Sequence, residues 1–548
     1  MKRAFFLALA FFFLHRLFGN SAYPPNVQWA SKVIDVSSEY TDGSASPQFQ
    51  AVQAMGKPNK LPAWGSSPCA WSPAGPDKGE EWIEAGFERP MQIQQVAIAE
   101  SFNPGSIKKV YIFDEAGKPY LVYKEDKPRP RQPEGRFLHV IFRRTPFRVK
   151  AVKIEMDTRT VKGWNHIDAI GIADTREPVE AIIHESKVAV AEEISPLGSA
   201  INSAYDEIFP VISPDGNTLY FDRKNHPENA GAPEPNDDIW VAHRQGGAWG
   251  RAERLPAPLN NRHHNFVCSV SPDGNTLLLG NIYRKDGTSE GGVSLSHKTA
   301  SGWSFPEELQ IGNYRNTSRY SEFNLAANRK VLLLAIENEK SHGGRDLYVS
   351  FLTENGSWTE PLNLGPQVNT AGTELTPFLA PDNQTLYFAS SGFSGYGETD
   401  MYVTRRLDNT WKNWSYPVNL GPSLNSPDWD ASYTIDANGE YAYFVSYKNS
   451  VAQSADLFRV KLPADVRPNP IAFITGRILN AETGKPLSAS ISYENARTGS
   501  EEGLALAEPG TGRYKVVLPL GENYRVWGSM NGFLPASEKI TLQGQTGY

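Results

Sequence analysis

The sequence predicts an all-β protein built around a five-bladed β-propeller. The turn motif Ser-Pro-Asp-Gly begins at Ser213 and again at Ser271, and altered copies begin at Ala326, Ala380 and Asp436. The copies lie 54 to 58 residues apart, and each is followed by an apolar strand. Repeats of this length with four short strands each are typical of propeller blades.

The strands of each copy follow from its turn chemistry and its apolar pattern. Asp-Gly favours the left-handed turn between antiparallel strands, and alternating Leu and aromatic positions bury one face of each strand. A later strand recurs as Asp238-Ile-Trp-Val241, Asp346-Leu-Tyr-Val349 and Asp400-Met-Tyr-Val403. Each copy therefore has the elements of one blade.

The two ends of the repeated region complement each other. The fifth copy stops at Leu462 without the Trp and Asn-Leu-Gly that end earlier copies, whereas Glu193-Ile-Ser-Pro-Leu-Gly198 precedes the first copy. We predict that this early segment supplies the outer strand of the last blade. Such an exchange closes the ring of residues 188–462 and removes exposed sheet edges.

Residues 1–22 have the pattern of a secretory signal peptide. Lys2-Arg3 precede an apolar run from Ala4 to Leu14, and small residues continue to Ala22. The run is too short to span a bilayer, so we expect cleavage after Ala22, with an uncleaved anchor as the alternative. The mature protein is then exported, without a transmembrane span, to the periplasm or the outer membrane.

Charge and cysteine content exclude several functions. The formal charge is −7 and becomes −10 when the leader is removed, and there is no basic stripe, which argues against nucleic acid as a partner. Cys69 and Cys268 are expected to be buried thiols rather than a disulfide. Neither has the spacing of a metal site, and no metal or cofactor is predicted.

Residues 23–175 contain a first β domain. Trp82-Ile-Glu begins one strand, Lys153-Ile-Glu lies in another, and Ile167-Asp-Ala-Ile-Gly-Ile172 ends the series. In this order the motifs resemble the discoidin or galactose-binding-like family, which implies a jelly-roll sandwich with ligand-binding loops at one end.

That resemblance offers three candidate contacts with a glycan, at Trp64, Trp71 and Asn103. An aromatic face can stack on the apolar face of a sugar ring. The alternative is that Trp71 and Trp82 belong to the core, because sandwiches commonly bury a Trp.

A second small domain follows a proline-rich linker, Pro463–Pro470. Within residues 471–545, a Gly-Lys-Pro turn lies between Ile474 and Leu487, and Gly512-Arg-Tyr opens a later strand. The pattern resembles the carboxypeptidase-regulatory-domain family. It implies a transthyretin-like sandwich without peptidase residues, acting as a spacer.

The repeats themselves resemble the WD40-like repeats of the TolB propeller class. Followed by a regulatory-like sandwich, they are similar to bacterial envelope proteins that usually end in an OmpA-like peptidoglycan-binding domain. No such domain lies before Tyr548, so the resemblance does not extend to peptidoglycan anchoring.

Five polar residues precede the five turns and are candidates to line the propeller axis and bind a ligand. They are Glu207, Asn265, Glu322, Glu374 and Asp430. A ring of carboxylates attracts a cation or a basic peptide. Alternatively, each acid accepts backbone hydrogen bonds and stabilises the ring. Glu322 lies two residues closer to its turn than the others and requires a local gap.

We therefore predict a non-catalytic, exported binding or scaffold protein. Its propeller face would dock an envelope protein or peptide, and its N-terminal domain would contact glycan. The alternative is a glycoside hydrolase that uses the axial carboxylates, since such enzymes place paired carboxyl groups around the scissile bond. Equivalent repeat positions argue against it, because a catalytic acid and base need different environments. No catalytic residue is predicted.

Overall fold

The computed structural model describes residues 26–41, 43, 46–126, 134–187, 194–446 and 454–545. Strands dominate this part of the chain, which confirms the predicted all-β class. The helical segments described are short 3-10 turns, Ala51–Ala54, Thr158–Thr160 and Ala464–Val466. None of the helices in these ranges is long and apolar enough to span a membrane. The predicted signal peptide lies outside the described residues.

The chain forms two compact units. One comprises Met1–His184 with Gly392–Tyr396, and the other comprises Glu185–Ser391 with Gly397–Tyr548. The domain boundaries predicted from the sequence stay predictions.

The first unit contains two antiparallel sheets. Four strands form one sheet, in the order Val27–Trp29, His166–Ala173, Gln95–Phe102 and Arg136–Ile141. Five strands form the other, in the order Lys32–Val36, Glu80–Met91, Val149–Asp157, Ile107–Asp114 and Pro119–Lys124.

Both of these sheets contribute to a single hydrophobic core. Ile98 and Ile170 enter it from the first sheet, and Ile83 and Ile154 enter it from the second. In Val149–Asp157, buried and part-buried residues largely alternate, as expected of a strand with one face toward the core. The two sheets therefore pack as layers around shared apolar side chains.

Five antiparallel sheets follow one another in the second unit. The first has strands Asp206–Ile212, Thr218–Lys224, Asp237–Gln245, Ala248–Trp249 and Glu253–Arg254. The second has Val267–Val270, Thr276–Tyr283, Ser289–Thr299, Gly302–Trp303 and Glu307–Glu308. The third has Glu322–Leu325, Val331–Ile336, Asp346–Phe351 and Leu362–Asn363.

The last two sheets have four strands each. The fourth contains Glu374–Leu379, Thr385–Ser390, Asp400–Arg405 and Val418–Asn419. The fifth contains Thr434–Ile435, Tyr441–Ser446, Asp456–Lys461 and Ser195–Pro196. Each sheet contains one copy of the repeat found in the sequence, with the turn motif between its first two strands.

The turns take the backbone conformation that their sequence motif requires. Gly216 and Gly274 have φ of 70°, and the altered copies place Arg329 at 59° and Asn383 at 55° in the same position. This left-handed conformation favours glycine and tolerates asparagine. The hairpin geometry is thus kept where the glycine has been replaced.

The predicted strand exchange is confirmed. Ser195 pairs with Arg459 and Pro196 with Phe458, so the early segment completes the fifth sheet. Asn202 reinforces the junction, because its side chain donates to the Leu457 carbonyl and accepts from the Leu457 N–H, both at 3.0 Å. Asn260 makes the same pair of hydrogen bonds to the backbone of Ile239.

The C-terminal part of this unit contains two small sheets. Ile471–Arg477 pairs with Arg513–Pro519, and a four-stranded sheet has the order Glu501–Leu506, Ser490–Asn495, Asn523–Ser529 and Ala536–Thr541. Ion pairs join these sheets to the turn side of the larger five. They are Lys515–Asp215 at 2.7 Å, Lys298–Glu508 at 2.9 Å and Lys330–Glu501 at 2.7 Å.

Candidate active site

A cavity of about 600 Å³ lies among the first strands of the five sheets. Its wall includes the fourth residue before each turn, namely Phe209, Val267, Glu322, Thr376 and Ser432. We call this space the central cavity. Its volume is in the range typical of small-molecule sites.

One end of the central cavity is apolar and the other is polar. Pro214, Ala327 and Pro381 line it beside the turns. Ionisable side chains line it at the end away from the turns, namely Lys224, Asp237, His264, Arg319 and Glu322. The end away from the turns therefore holds the side chains that could transfer protons or bind a charged ligand.

Four of the five polar residues predicted to line the axis form hydrogen bonds within the loop that precedes their strand. Each is hydrogen-bonded to the residue four positions before it. Glu207 accepts from the Ser203 N–H at 2.9 Å, Glu374 from the Thr370 N–H at 2.9 Å and Asp430 from the Ser426 N–H at 2.6 Å. Asn265 instead donates to the Asn261 carbonyl at 3.0 Å.

These four residues are not among those that line the central cavity. Burial raises the pKa of Glu374 to about 8 and that of Asp430 to about 7. Their bonds hold the segment before each first strand, which matches the stabilising alternative given above. A ligand-binding role for the set of five stays a prediction, and the structure separates Glu322 from the rest.

Glu322 needs no gap in the repeat, contrary to expectation. Tyr320 takes the position that the other acids hold, six residues before the turn, and its side chain is 60% exposed. Glu322 occupies the next inward-facing position, where the other sheets carry Phe209, Val267, Thr376 or Ser432. It is the acid that departs from the repeat.

Arg345 holds one oxygen of the Glu322 carboxyl group. Glu322 Oε1 accepts from Arg345 Nη1 at 2.5 Å, while Oε2 is buried and has no hydrogen-bond partner of good geometry among the described residues. Burial raises the pKa of Glu322, and the charge of Arg345 and the nearby Thr376 backbone N–H oppose that rise. One oxygen is thus available for a proton transfer at the cavity wall.

A second acid, Asp237, lines the same end of the cavity. Its Oδ2 lies 3.0 Å from His264 Nδ1, and its Oδ1 is buried without a hydrogen-bond partner in the described part of the chain. Asp237 begins the third strand of the first sheet, directly before the repeated Asp238. It contributes a carboxylate in surroundings different from those of Glu322.

Asp222 is a third acid and lies close to Asp237. It is 1% exposed, and neither of its oxygens has a hydrogen-bond partner of good geometry among the described residues. Burial raises the pKa of Asp222 well above its usual range, the nearby charge of Asp237 adds to that rise, and the Val267 backbone N–H opposes it. Since Asp222 does not line the cavity, its effect is electrostatic.

Cys268 lies near two of these acids, Asp222 and Glu322. It lines the cavity as a free thiol, and burial raises its pKa, with further increases from the charges of Asp222 and Glu322. A raised pKa keeps the sulfur as the unreactive thiol. Cys69, the other free thiol, is buried in the first unit.

The predicted glycan contacts lie in the first unit. Trp64 is 53% exposed, whereas Trp71 is fully buried and donates its indole N–H to the Ser38 carbonyl at 3.0 Å. Asn103 is buried and donates to the Trp164 carbonyl at 2.8 Å. Glycan binding at these residues stays a prediction, and Trp64 is the one whose ring is open to solvent.

Comparison with known proteins shows likeness of structure only. No protein-family model and no curated protein matches the chain. An α-L-arabinofuranosidase from Lactobacillus brevis matches with 11% identity and a TM-score of 0.31, over 50% of this chain and 94% of that one. The WD40 repeats of RRP9 match with 9% identity and a TM-score of 0.27, over 50% and 99%.

A third match is an exo-β-1,3-galactanase from Phanerochaete chrysosporium, with 11% identity and a TM-score of 0.29, over 64% of this chain and 98% of that one. These three structural neighbours share at most 11% identity and a TM-score of at most 0.31 with this chain. Several carry glycoside hydrolase names, which contradicts the predictions of a non-catalytic binding or scaffold protein and of no enzymatic activity. Those predictions were wrong. The activity of this chain has to be argued from its own side chains.

Proposed function

We propose that this protein is a glycoside hydrolase whose active site is the polar end of the central cavity. The observation that carries the proposal is the pair Glu322 and Asp237, two cavity-lining carboxyl groups in unlike surroundings. One is bonded to a guanidinium and the other to an imidazole. Separating two carboxyl groups in this way is how one site obtains both an acid and a base.

Each carboxyl group then has a defined role in hydrolysis. Glu322, with its raised pKa and its unbonded Oε2, donates a proton to the glycosidic oxygen as the bond to the anomeric carbon breaks. Asp237 accepts a proton from the water that adds to that carbon, and His264 stabilises its charge. The proton taken from water returns to Glu322 through solvent, so each turnover restores the site.

Asp222 assists without contacting the substrate. Burial and the nearby charge of Asp237 raise the pKa of Asp222 well above its usual range, which favours its protonated form. Aromatic side chains complete the wall. Phe209 and Phe266 stack with ring centroids 6.0 Å apart, and both line the cavity. Such faces suit the apolar side of a sugar ring.

The same proposal covers the blades, the flanking regions and the leader of the protein. We take the five sheets as five propeller blades closed by Ser195–Pro196, and the two flanking regions as a galactose-binding-like and a regulatory-like sandwich. Trp64 is then an auxiliary glycan contact. The leader at residues 1–22 supports export, so that the enzyme meets its saccharide outside the cytoplasm.

The test is hydrolysis by the purified full-length chain. A panel of 4-nitrophenyl glycosides and plant and microbial oligosaccharides is incubated with the protein, and released sugars are measured by chromatography. Glu322→Gln and Asp237→Asn should each lower kcat by 100-fold or more, on the order expected for loss of an acid or base. Glu253→Gln is the matched control, because Glu253 is exposed in the first sheet.

The absence of released sugar across the panel overturns the proposal. So does full activity in Glu322→Gln. Circular dichroism and melting of each variant separate loss of chemistry from loss of fold.

A further inference from the structure

Two positive side chains on the wall of the central cavity form no ion pair. Glu322 is paired with Arg345 at 2.5 Å, and Asp237 is bonded to His264, which is a cation only when protonated, at 3.0 Å. Lys224 and Arg319 also line the cavity, but neither has a carboxylate oxygen within 4.0 Å among the described residues. Both cations are therefore open to an anionic group of a ligand.

Lys224 forms no ion pair although an acid lies opposite it on each neighbouring strand. Its register partners are Asp206 and Asp237, and the carboxylates of these two acids bond the Ala455 N–H and His264 instead. Arg319 lies beside the ring of Tyr320, with 5.6 Å between its guanidinium carbon and the ring centroid. That stacking steadies the guanidinium but leaves its donors free for a ligand.

Three other lysines of the same unit, unlike Lys224, are ion-paired. Lys298, Lys330 and Lys340 each bond a glutamate, at 2.9, 2.7 and 2.5 Å. Like charges in a cleft with low-dielectric walls attract an anion from solution.

We propose that the central cavity recognises a saccharide that carries an anionic group, either the carboxylate of a uronic acid or a sulfate ester. Arg319 makes paired hydrogen bonds to the anion and Lys224 contributes a point charge. The sugar ring lies against Phe209 and Phe266, with its scissile bond toward Glu322. The identity of the ligand as a saccharide rests on the proposed function; the anionic preference rests on the two cations.

Binding of matched ligands tests this inference without requiring turnover. Calorimetry compares the full-length protein with oligogalacturonates and oligoglucuronates and with their neutral methyl esters, which have the same rings but lack the charge. Sulfated galacto-oligosaccharides and their desulfated forms make the second arm. We expect at least one anionic member to bind 10-fold or more tightly than its neutral counterpart, with the preference weakening as salt rises.

Two variants and a control complete the test. Arg319→Gln and Lys224→Gln should each weaken binding of the anionic form far more than binding of its neutral counterpart, and so remove most of the preference. Lys285→Gln, at an exposed lysine in the second sheet's hairpin, should leave the preference intact. The arm that shows the preference identifies carboxylate or sulfate as the group recognised.

Equal affinity for charged and neutral members in both arms overturns the inference, as does a preference that survives in both variants. Hydrolysis of neutral glycosides alone would refute anionic recognition and leave the hydrolase standing. Anion-selective binding with no product would refute the hydrolase and leave the recognition site standing.

Discussion

Arg345 joins Glu322 to Glu374. Its side chain donates to Glu322 Oε1 at 2.5 Å, and its backbone carbonyl accepts from the Glu374 N–H at 2.8 Å. One residue thus positions the acid that lines the central cavity while its backbone fixes the start of the next sheet. Arg345 therefore contributes to the proposed catalytic site through its side chain and to the fold through its backbone. Side-chain variants test the first contribution alone.

Removing the Arg345 side chain should move the pH profile of activity. The guanidinium opposes the rise in the pKa of Glu322, so Arg345→Met raises that pKa further. A general acid stays protonated to higher pH, and the alkaline limb of kcat/KM should shift upward by about one pH unit. Arg345→Lys, which keeps the charge, should shift it less. An unmoved alkaline limb contradicts the role given to Glu322.

Replacing Glu374 should destabilise the fold without involving the site. Glu374→Ala leaves the Thr370 N–H, the Thr370 hydroxyl and the Ser390 hydroxyl without their acceptor in a buried position. The free energy of unfolding should fall by about 2 to 4 kcal/mol, as expected for unsatisfied buried donors. Urea denaturation measures the change, and Glu354→Ala in an exposed turn is the control. An unchanged unfolding midpoint contradicts the stabilising role.

Stability of the second unit should fall as pH rises from 6.5 to 8. The folded pKa values of Asp430 and Glu374 are about 7 and about 8, above their values in the unfolded chain. In this range the native state holds protons that the unfolded state has lost, so the free energy of unfolding decreases with pH. Thermal melts at several pH values check this. A rising Tm over that interval is the contrary result, and Asp430→Asn should flatten the slope.

The ring junction should be as sensitive as an internal one. Asn202→Ala removes two hydrogen bonds to Leu457, and Asn260→Ala removes the equivalent pair to Ile239. Each loss should lower the free energy of unfolding by about 1 to 3 kcal/mol. Equal decreases in the free energy of unfolding for the two variants, measured by urea denaturation, would show that the exchanged strand stabilises the fold as much as an internal junction does. An unchanged free energy of unfolding in Asn202→Ala would show that it does not.

The repeat in the sequence was sufficient to predict the all-β class and the exchanged strand. Both follow from local signals, because the turn motif recurs and the missing strand at one end is present at the other. Asp238 and its equivalents also recur, and such repeated polar residues mostly belong to the scaffold.

The active site could not be predicted in the same way, because it depends on which residues a bulge turns inward. The first strand of the first sheet shifts register between Ile208 and Val211, and Phe209 there has φ of 49°. The third sheet has no such shift, and Glu322 pairs directly with Ala335. The offset of Glu322 was visible in the sequence, but a regular strand, rather than a gap, explains it.

Asp237 and Asp222 were missed for a related reason. Asp237 looks like a neighbour of the repeated Asp238, and Asp222 looks like the first of three charged residues that end its strand. The two acids lie on paired strands of the first sheet, and Asp222 also lies near Cys268 of the second sheet. The available signal was an acid that appears in one copy of the repeat only.

The pairing of Ser195–Pro196 with Asp456–Lys461 has a consequence for how the protein is made. The fifth sheet cannot be completed until the ribosome has released a strand more than 250 residues beyond its partner. At about 5 to 20 residues per second, this interval is roughly 13 to 50 s. During that time the early segment has no strand to join and its edge remains open to other chains. Export of an unfolded chain would postpone this pairing until translocation is complete.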